Sequence, residues 1–136
     1  MSDKLQKYLA KGKEGRKDDT ITVSVDGEEW SVRRLTTMEV RRSYELAYED
    51  NGDPKESYNE IDVMIVKATE HEFDWNNTEL LKAYKCASKF ELPPRLFDNP
   101  ADYSELSKAV RNFQETKEAL LKEAKNSSSK MEKQAG

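Results

Sequence analysis

Apolar residues recur along this chain with two different periods, and the change from one to the other divides it. From Thr20 the period is two. In TITVSVDGEEWSVRRL, Ile21, Val23 and Val25 share one face, and Trp30 and Val32 resume the alternation after a break. The break is Asp26-Gly27, and an Asp-Gly pair between alternating runs predicts a β-hairpin. From LTTMEVRRSYELAYED onward the period is 3.6. Thr36 with Glu39 three residues later has capping-box spacing, and Val40, Tyr44 and Ala47 fall on one helical face. Gly52 and Pro54 in NGDPK break that helix. Ser57 with Glu60 repeats the spacing, and Tyr58, Ile61, Ile65 and Ala68 make the stripe of a second helix ending near Glu70 or His71.

In DWNNTELLKAYKCA, Asn77 is the expected cap, with Leu80, Leu81, Tyr84 and Ala87 or Ser88 on one side of the helix it opens. Pro93-Pro94 is expected to end whatever precedes it, because a residue before proline is pushed out of helical geometry. RLF then suits a short helical turn. Asn99-Pro100 places a cap residue before a proline at the first helical position. Tyr103, Leu106, Val110 and Phe113 form the stripe of a last long helix, expected to run to about Lys125. At the other end, DKLQKYLA (residues 3–10) predicts a short helix with Leu5, Tyr8 and Leu9 on one side, and KGKEGRKDD has linker composition.

The predicted fold class is α+β, mostly α: an N-terminal β-hairpin followed by a bundle of about four helices. Residues 1–18 are expected to be a flexible arm carrying the short helix, 19–125 a single hairpin-plus-helices domain, and 126–136, NSSSKMEKQAG, a disordered tail. The hairpin must pack its apolar face on the helices or on a partner, because two strands alone are marginal.

Composition sharpens this picture without changing it. Of 136 residues, 35% are hydrophobic and 37% charged, so the core must be small. Residues 1–20 carry six Lys/Arg against four Asp/Glu, residues 117–136 five against three, and the middle twelve against twenty. An acidic body argues against nucleic acid as a partner, since phosphate binding needs a positive face. No apolar run approaches the roughly 18–20 residues that span a bilayer, and the N-terminus lacks a signal-peptide core, so a cytoplasmic protein without membrane contact is expected. A single cysteine makes no internal disulfide.

Candidate chemistry gathers at His71 and Cys86, the only histidine and cysteine. HEFDW has no second His or Cys in range for zinc. Glu70, Glu72 and Asp74 lack the Gly-centred loop of a calcium site. A solvated helix terminus is therefore favoured over a metal site, and a His there suits the helix dipole. Cys86 reads as a small buried hydrophobe, because a nucleophile needs an adjacent base and an orienting third group. The five glycines form no nucleotide cradle, and there is no GxSxG elbow. Arg33-Arg34 and Arg41-Arg42 lie among Glu28, Glu29, Glu39 and Glu45 and read as solvated or salt-bridged surface. No catalytic residue, cofactor or metal is expected.

The stretch VKATEHEFDWNNTELLKAYKCASKFELPPRLFDNPADYSELSKAV, residues 66–110, resembles the tail assembly chaperones of long-tailed phages, particularly those of PBSX-like defective prophages. The resemblance rests on order and spacing: a V-x-A helix end, the FDWNNTELL segment, LPPRLF, and NPADYSEL opening a long helix. Upstream, ITVSVDGEEWSVRRLTTMEVRR is similar to the family's opening hairpin and its Leu-Thr-x-x-Glu-type helix start, and KLQKYLA to its short leading helix. It covers residues 20–113. Where such proteins often have a glycine after the helix that follows FDWN, this chain has Lys85-Cys86.

This resemblance implies a non-enzymatic protein of the bacterial host's cytoplasm. It would bind the tape measure protein and keep it soluble during tail assembly, with tail tube subunits as further partners. A longer frameshifted form is common in the family, and the polar C-terminal end would suit a tether to it. A homo-oligomer stays open. The candidate partner-binding residues are the aromatics and aliphatics beside the chain breaks: Phe73, Trp75, Phe90, Leu96 and Phe97. That they fill the core instead is an equal alternative. A second hypothesis of a different class is a structural or adaptor component retained in a finished tail or similar particle.

Overall fold

In the computed structural model, which describes residues 2–15 and 19–113, the hairpin sits where the period-two pattern puts it. Strands β1 (Thr20–Val25) and β2 (Glu28–Arg33) pair antiparallel, with Val23 opposite Trp30 and Ile21 opposite Val32. Asp26 and Gly27 both take positive φ, 53° and 73°, the backbone of a two-residue turn whose twist matches the strands. One face of the hairpin carries Val25, Trp30 and Val32, all buried.

Helix α1 (Asp3–Glu14) precedes the hairpin and is longer than the expected helix over 3–10, since Lys11 to Glu14 continue it. Ser2 caps it by accepting from Leu5 N–H, Lys11 and Lys13 sit at its C-terminal end, and all its residues are exposed. After the hairpin come α2 (Thr37–Leu46), α3 (Glu60–Thr69), α4 (Thr78–Ala83), α5 (Leu92–Leu96) and α6 (Pro100–Phe113), with a 3-10 turn at Lys89–Glu91. The chain is thus α+β and mostly α, a hairpin followed by helices. The expected extension to Lys125 and the tail over 126–136 lie outside the described residues.

Helix α3 is the centre. Ile61, Val63, Met64, Ile65, Val66 and Ala68 are all buried, as are the polar Asp62 and Thr69, so it is buried nearly all round rather than on the one stripe expected. β2, α2, α5 and α6 pack around it. Its cap also differs. Asn59 with Asp62, not Ser57 with Glu60, forms the capping box, with Asp62 N–H donating to Asn59 Oδ1 and Asn59 N–H to Asp62 Oδ2. Two box-like spacings two residues apart compete here. The later one wins because it buries Asp62 against Tyr103, 41 residues away.

Helix α2 starts at the Thr36–Glu39 box as its spacing predicts. Its buried face is turned, however: Tyr44 is 49% exposed and Ser43 is fully buried. The Ser43 hydroxyl donates to Glu39 O at 2.9 Å, so this small residue satisfies itself on the face that meets α3. Helix α4 opens at Asn77, which accepts from Leu80 N–H, but closes at Tyr84, and Ser88 caps the 3-10 turn instead of extending α4. Pro93-Pro94 opens α5 rather than ending an element. In a first turn a proline lacks only an N–H that would have no helical partner. Asn99 accepts from Ala101 N–H at 3.0 Å and starts α6, whose Leu106, Val110 and Phe113 are buried.

Candidate partner-binding site

The loop from Glu70 to Asn77 is built by local hydrogen bonds. Phe73 N–H donates to Thr69 O (3.1 Å) and Trp75 N–H to Phe73 O (3.1 Å). Asp74 accepts from Asn76 N–H at 3.0 Å. Thr69 is the pivot: its hydroxyl donates to Ile65 O at 2.6 Å and accepts from Trp75 Nε1 at 2.9 Å. This folds the Trp75 indole beneath the end of α3, where it is 2% exposed. Two further bonds pin the loop to the hairpin. The Glu72 carboxylate accepts from Ser31 N–H at 2.7 Å, and His71 Nε2 lies 3.0 Å from Ser31 Oγ.

Phe73 is left half-buried between two tryptophans, its ring 5.0 Å from Trp30 and 4.8 Å from Trp75. Shallow depressions flank it. One, of about 440 Å³, is lined by Phe73 and Trp75 together with Glu70, His71, Asp74 and Lys89. The other, of about 260 Å³, lies between Trp30, Phe73 and the carboxylates of Glu28, Glu29 and Glu72. The site is an aromatic ridge in an acidic frame, and the facing cation Lys89 lies 3.9 Å from Glu70. Trp30 is buried, and its Nε1 finds no hydrogen-bond partner among the described residues.

The five expected contact residues therefore separate. Trp75 and Phe97, the latter 5% exposed, are core: Phe97 meets Trp30 edge-on at 5.3 Å. Trp75 is held there by the Thr69 hydroxyl and Phe97 by its packing on the hairpin. Phe73, Phe90 and Leu96 are partly buried and packed against the core. Phe90 keeps apart from the Phe73 ridge and pairs with Tyr58 at 5.3 Å. Trp30, absent from the expected set, organises the ridge. Its alternation in β2 was the available signal, but strand periodicity gives a face, not the aromatic neighbours across it.

His71 is exposed beside Ser31, and Cys86 lies after α4 with its sulfur 3.7 Å from Tyr84 O. Burial pushes the Cys86 thiol up, with nearby Arg95 acting in the opposite direction, which disfavours thiolate. Cys86 is only partly buried. Among the described residues no three His, Cys, Asp or Glu side chains converge as a metal-binding group. Arg33 is no open basic patch: its guanidinium grips both Glu39 carboxylate oxygens (3.1 and 2.8 Å) and donates to Lys67 O at 3.0 Å. Arg34 pairs with Asp19 and lies over the Phe113 ring. No described helix is long and apolar enough to cross a membrane.

A hairpin laid against a central buried helix, with further helices closing the other sides, is the fold class these contacts define. Among solved structures the chain is similar to the crystal structure of the protein YqbN, a structural-genomics target. The TM-score is 0.58 at 13% identity, over 78% of this chain and 92% of that one. At that identity the likeness is one of fold. No family model matches the chain, and no curated protein matches it.

Proposed function

We propose that this protein is a phage or prophage tail assembly chaperone that binds the tape measure protein in the cytoplasm of a bacterial host and keeps it soluble during tail assembly. The observation that carries the reading is the half-buried Phe73, set over two buried tryptophans in an acidic frame. It lies inside the stretch, residues 66–110, whose motif order resembles those chaperones. A long helical client exposes apolar faces that must be covered reversibly, and a shallow surface suits that better than a deep pocket. Carboxylates around the ridge favour a client helix with basic residues flanking its apolar stripe. A surface of this kind needs no catalytic group.

Co-expression with the neighbouring genes, followed by affinity capture and mass spectrometry, tests this. Recovery of a very long helix-rich protein that is insoluble alone is the expected outcome. Phe73→Ser, and separately the exposed pair Glu28→Lys and Glu29→Lys, should cut that recovery at least about tenfold, the effect of losing roughly 1.4 kcal/mol of contact. The charge pair leaves the core untouched. Stoichiometric recovery of tail tube or baseplate subunits in particle-like assemblies would instead make the protein a structural or adaptor component.

A further inference from the structure

A two-stranded hairpin has two unpaired outer edges, and this chain treats its two differently. The turn closes on Val25 opposite Glu28, and at the open end Arg34 N–H donates to Asp19 O at 2.8 Å. Alternation between these points pairs Ile21, Val23 and Val25 inward with β2. It turns the N–H and C=O of Thr20, Thr22 and Ser24 to the outer edge of β1, and those of Glu29, Ser31 and Arg33 outward from β2. The β2 edge is defended. Its strand carries Glu28, Glu29 and Arg33, and the Glu72 carboxylate occupies the outward N–H of Ser31. Among the described residues the β1 edge has no such device. TITVSV contains no charge or proline, two of the usual means of blunting an edge, and helix α6 packs against β1 without burying its outward residues. Thr20, Thr22 and Ser24 are exposed, and no hydrogen bond from another described segment reaches their backbone. Ile21 beside them keeps 38% of its surface exposed.

We propose that β1 is the pairing edge for a second copy of this chain, joining two hairpins into one four-stranded antiparallel sheet about a two-fold axis through Thr22. The strand is complementary to itself in that register. Thr22 meets its own counterpart, Thr20 meets Ser24, and all three present outward N–H and C=O groups. Ile21 comes beside Val23 of the second copy on the same face, covering its exposed surface. Within Thr20–Val25 no like charges are opposed, because the strand has none. Centring the axis on Thr20 or Ser24 instead would bring Asp19 or Asp26 into the pairing and use only part of the strand. A six-residue strand pair buries less than the roughly 1,200 Å² of a standard stable complex, so the dimer is a weak one that forms with rising concentration. The inference stands independently of the function proposed above.

Sedimentation velocity of the full chain from ~5 to ~500 µM, a range that brackets such weak association, tests it alongside Thr22→Pro and Ile21→Lys. Proline at 22 removes only an outward N–H and leaves the ladder to β2 whole. Lysine at 21 places a charge beside the pairing edge. The wild-type chain should shift from monomer to dimer across the range, with amide exchange at Thr22 and Ser24 slowing in step. Both variants should move the midpoint at least tenfold higher with circular dichroism unchanged; if the proline variant does not fold, Ile21→Lys carries the comparison. A wild-type chain monomeric throughout would overturn the proposal. So would a dimer insensitive to both substitutions, which would put the contact elsewhere, as on the exposed Leu5, Tyr8 and Leu9 of α1. Slow exchange at Thr22 in the monomer would give the edge to another part of the same chain and overturn it equally.

Discussion

Asp62 shows how much one side chain can join. Its Oδ2 accepts from Asn59 N–H at 3.0 Å to start α3, and its Oδ1 accepts from the Tyr103 phenol at 2.5 Å to hold α6. The residue is 3% exposed. Burial raises its pKa above the ordinary 3.8, and the bonds from Tyr103 and Asn59 oppose that rise. Tyr103 is pushed above its ordinary 10.0 by burial first and then by its bond to Asp62, so it remains a donor at neutral pH. The folded Asp62 holds its proton more tightly than the unfolded one. Its stabilisation is therefore full below 3.8 and lost as pH rises through the folded value. Urea titrations should show the stability of the wild-type chain, minus that of Asp62→Asn, falling as pH rises just above 3.8 and then levelling. A difference flat in pH would refute this. Tyr103→Phe should cost about 1–3 kcal/mol at neutral pH, because it leaves a buried carboxylate oxygen without its donor.

At the scale of elements, two left-handed residues make opposite predictions. Gly27, at φ 73°, closes the hairpin, and a Cβ there would meet nothing within 4 Å. Gly27→Ala should still lower stability by about 1–2 kcal/mol, since the cost lies in the backbone rather than in a clash. Lys85, at φ 56°, ends α4 in the same conformation without being glycine. The Arg95 guanidinium holds the turn by donating to Tyr84 O (3.0 Å) and Lys85 O (2.8 Å), tying α5 to the end of α4. Lys85→Gly should raise stability by about 0.5–1 kcal/mol, relief of strain less the added freedom of the unfolded chain. Thermal melts of the two variants, moving in opposite directions, check both.

For the whole molecule the joint is Trp30. It touches Phe73, Trp75 and Phe97 with ring centroids 5.0, 5.9 and 5.3 Å away, so a strand residue collects aromatics from the α3–α4 loop and from the end of α5. Hairpin and helices share that one core. Trp30→Ala should cost about 3–5 kcal/mol and lower both parts together. Helical circular dichroism and hydrogen exchange of the β1 and β2 amides should then report coincident unfolding. Separated transitions would show the hairpin to be an independent unit.

What the sequence determined by itself was local. The Asp26-Gly27 turn, the period-two strands, the Thr36–Glu39 box, the Asn77 cap and the Asn99-Pro100 start of α6 each act over a few residues, and all were legible before any contact was known. The candidate site was legible only in part. Position beside a chain break marks Phe73, Trp75 and Phe97 alike, whereas the fold buries Trp75 and Phe97, leaves Phe73 half-buried, and sets Trp30 among them. Tertiary structure decided those matters, and likewise the choice of Asn59 over Ser57, the burial of Ser43 instead of Tyr44, and the prolines that open α5. The physical reason is the same throughout. Backbone geometry and caps are satisfied by near neighbours, whereas burial depends on what a distant segment brings: Tyr103 to Asp62, Trp30 to Phe97, Glu72 to the edge of β2.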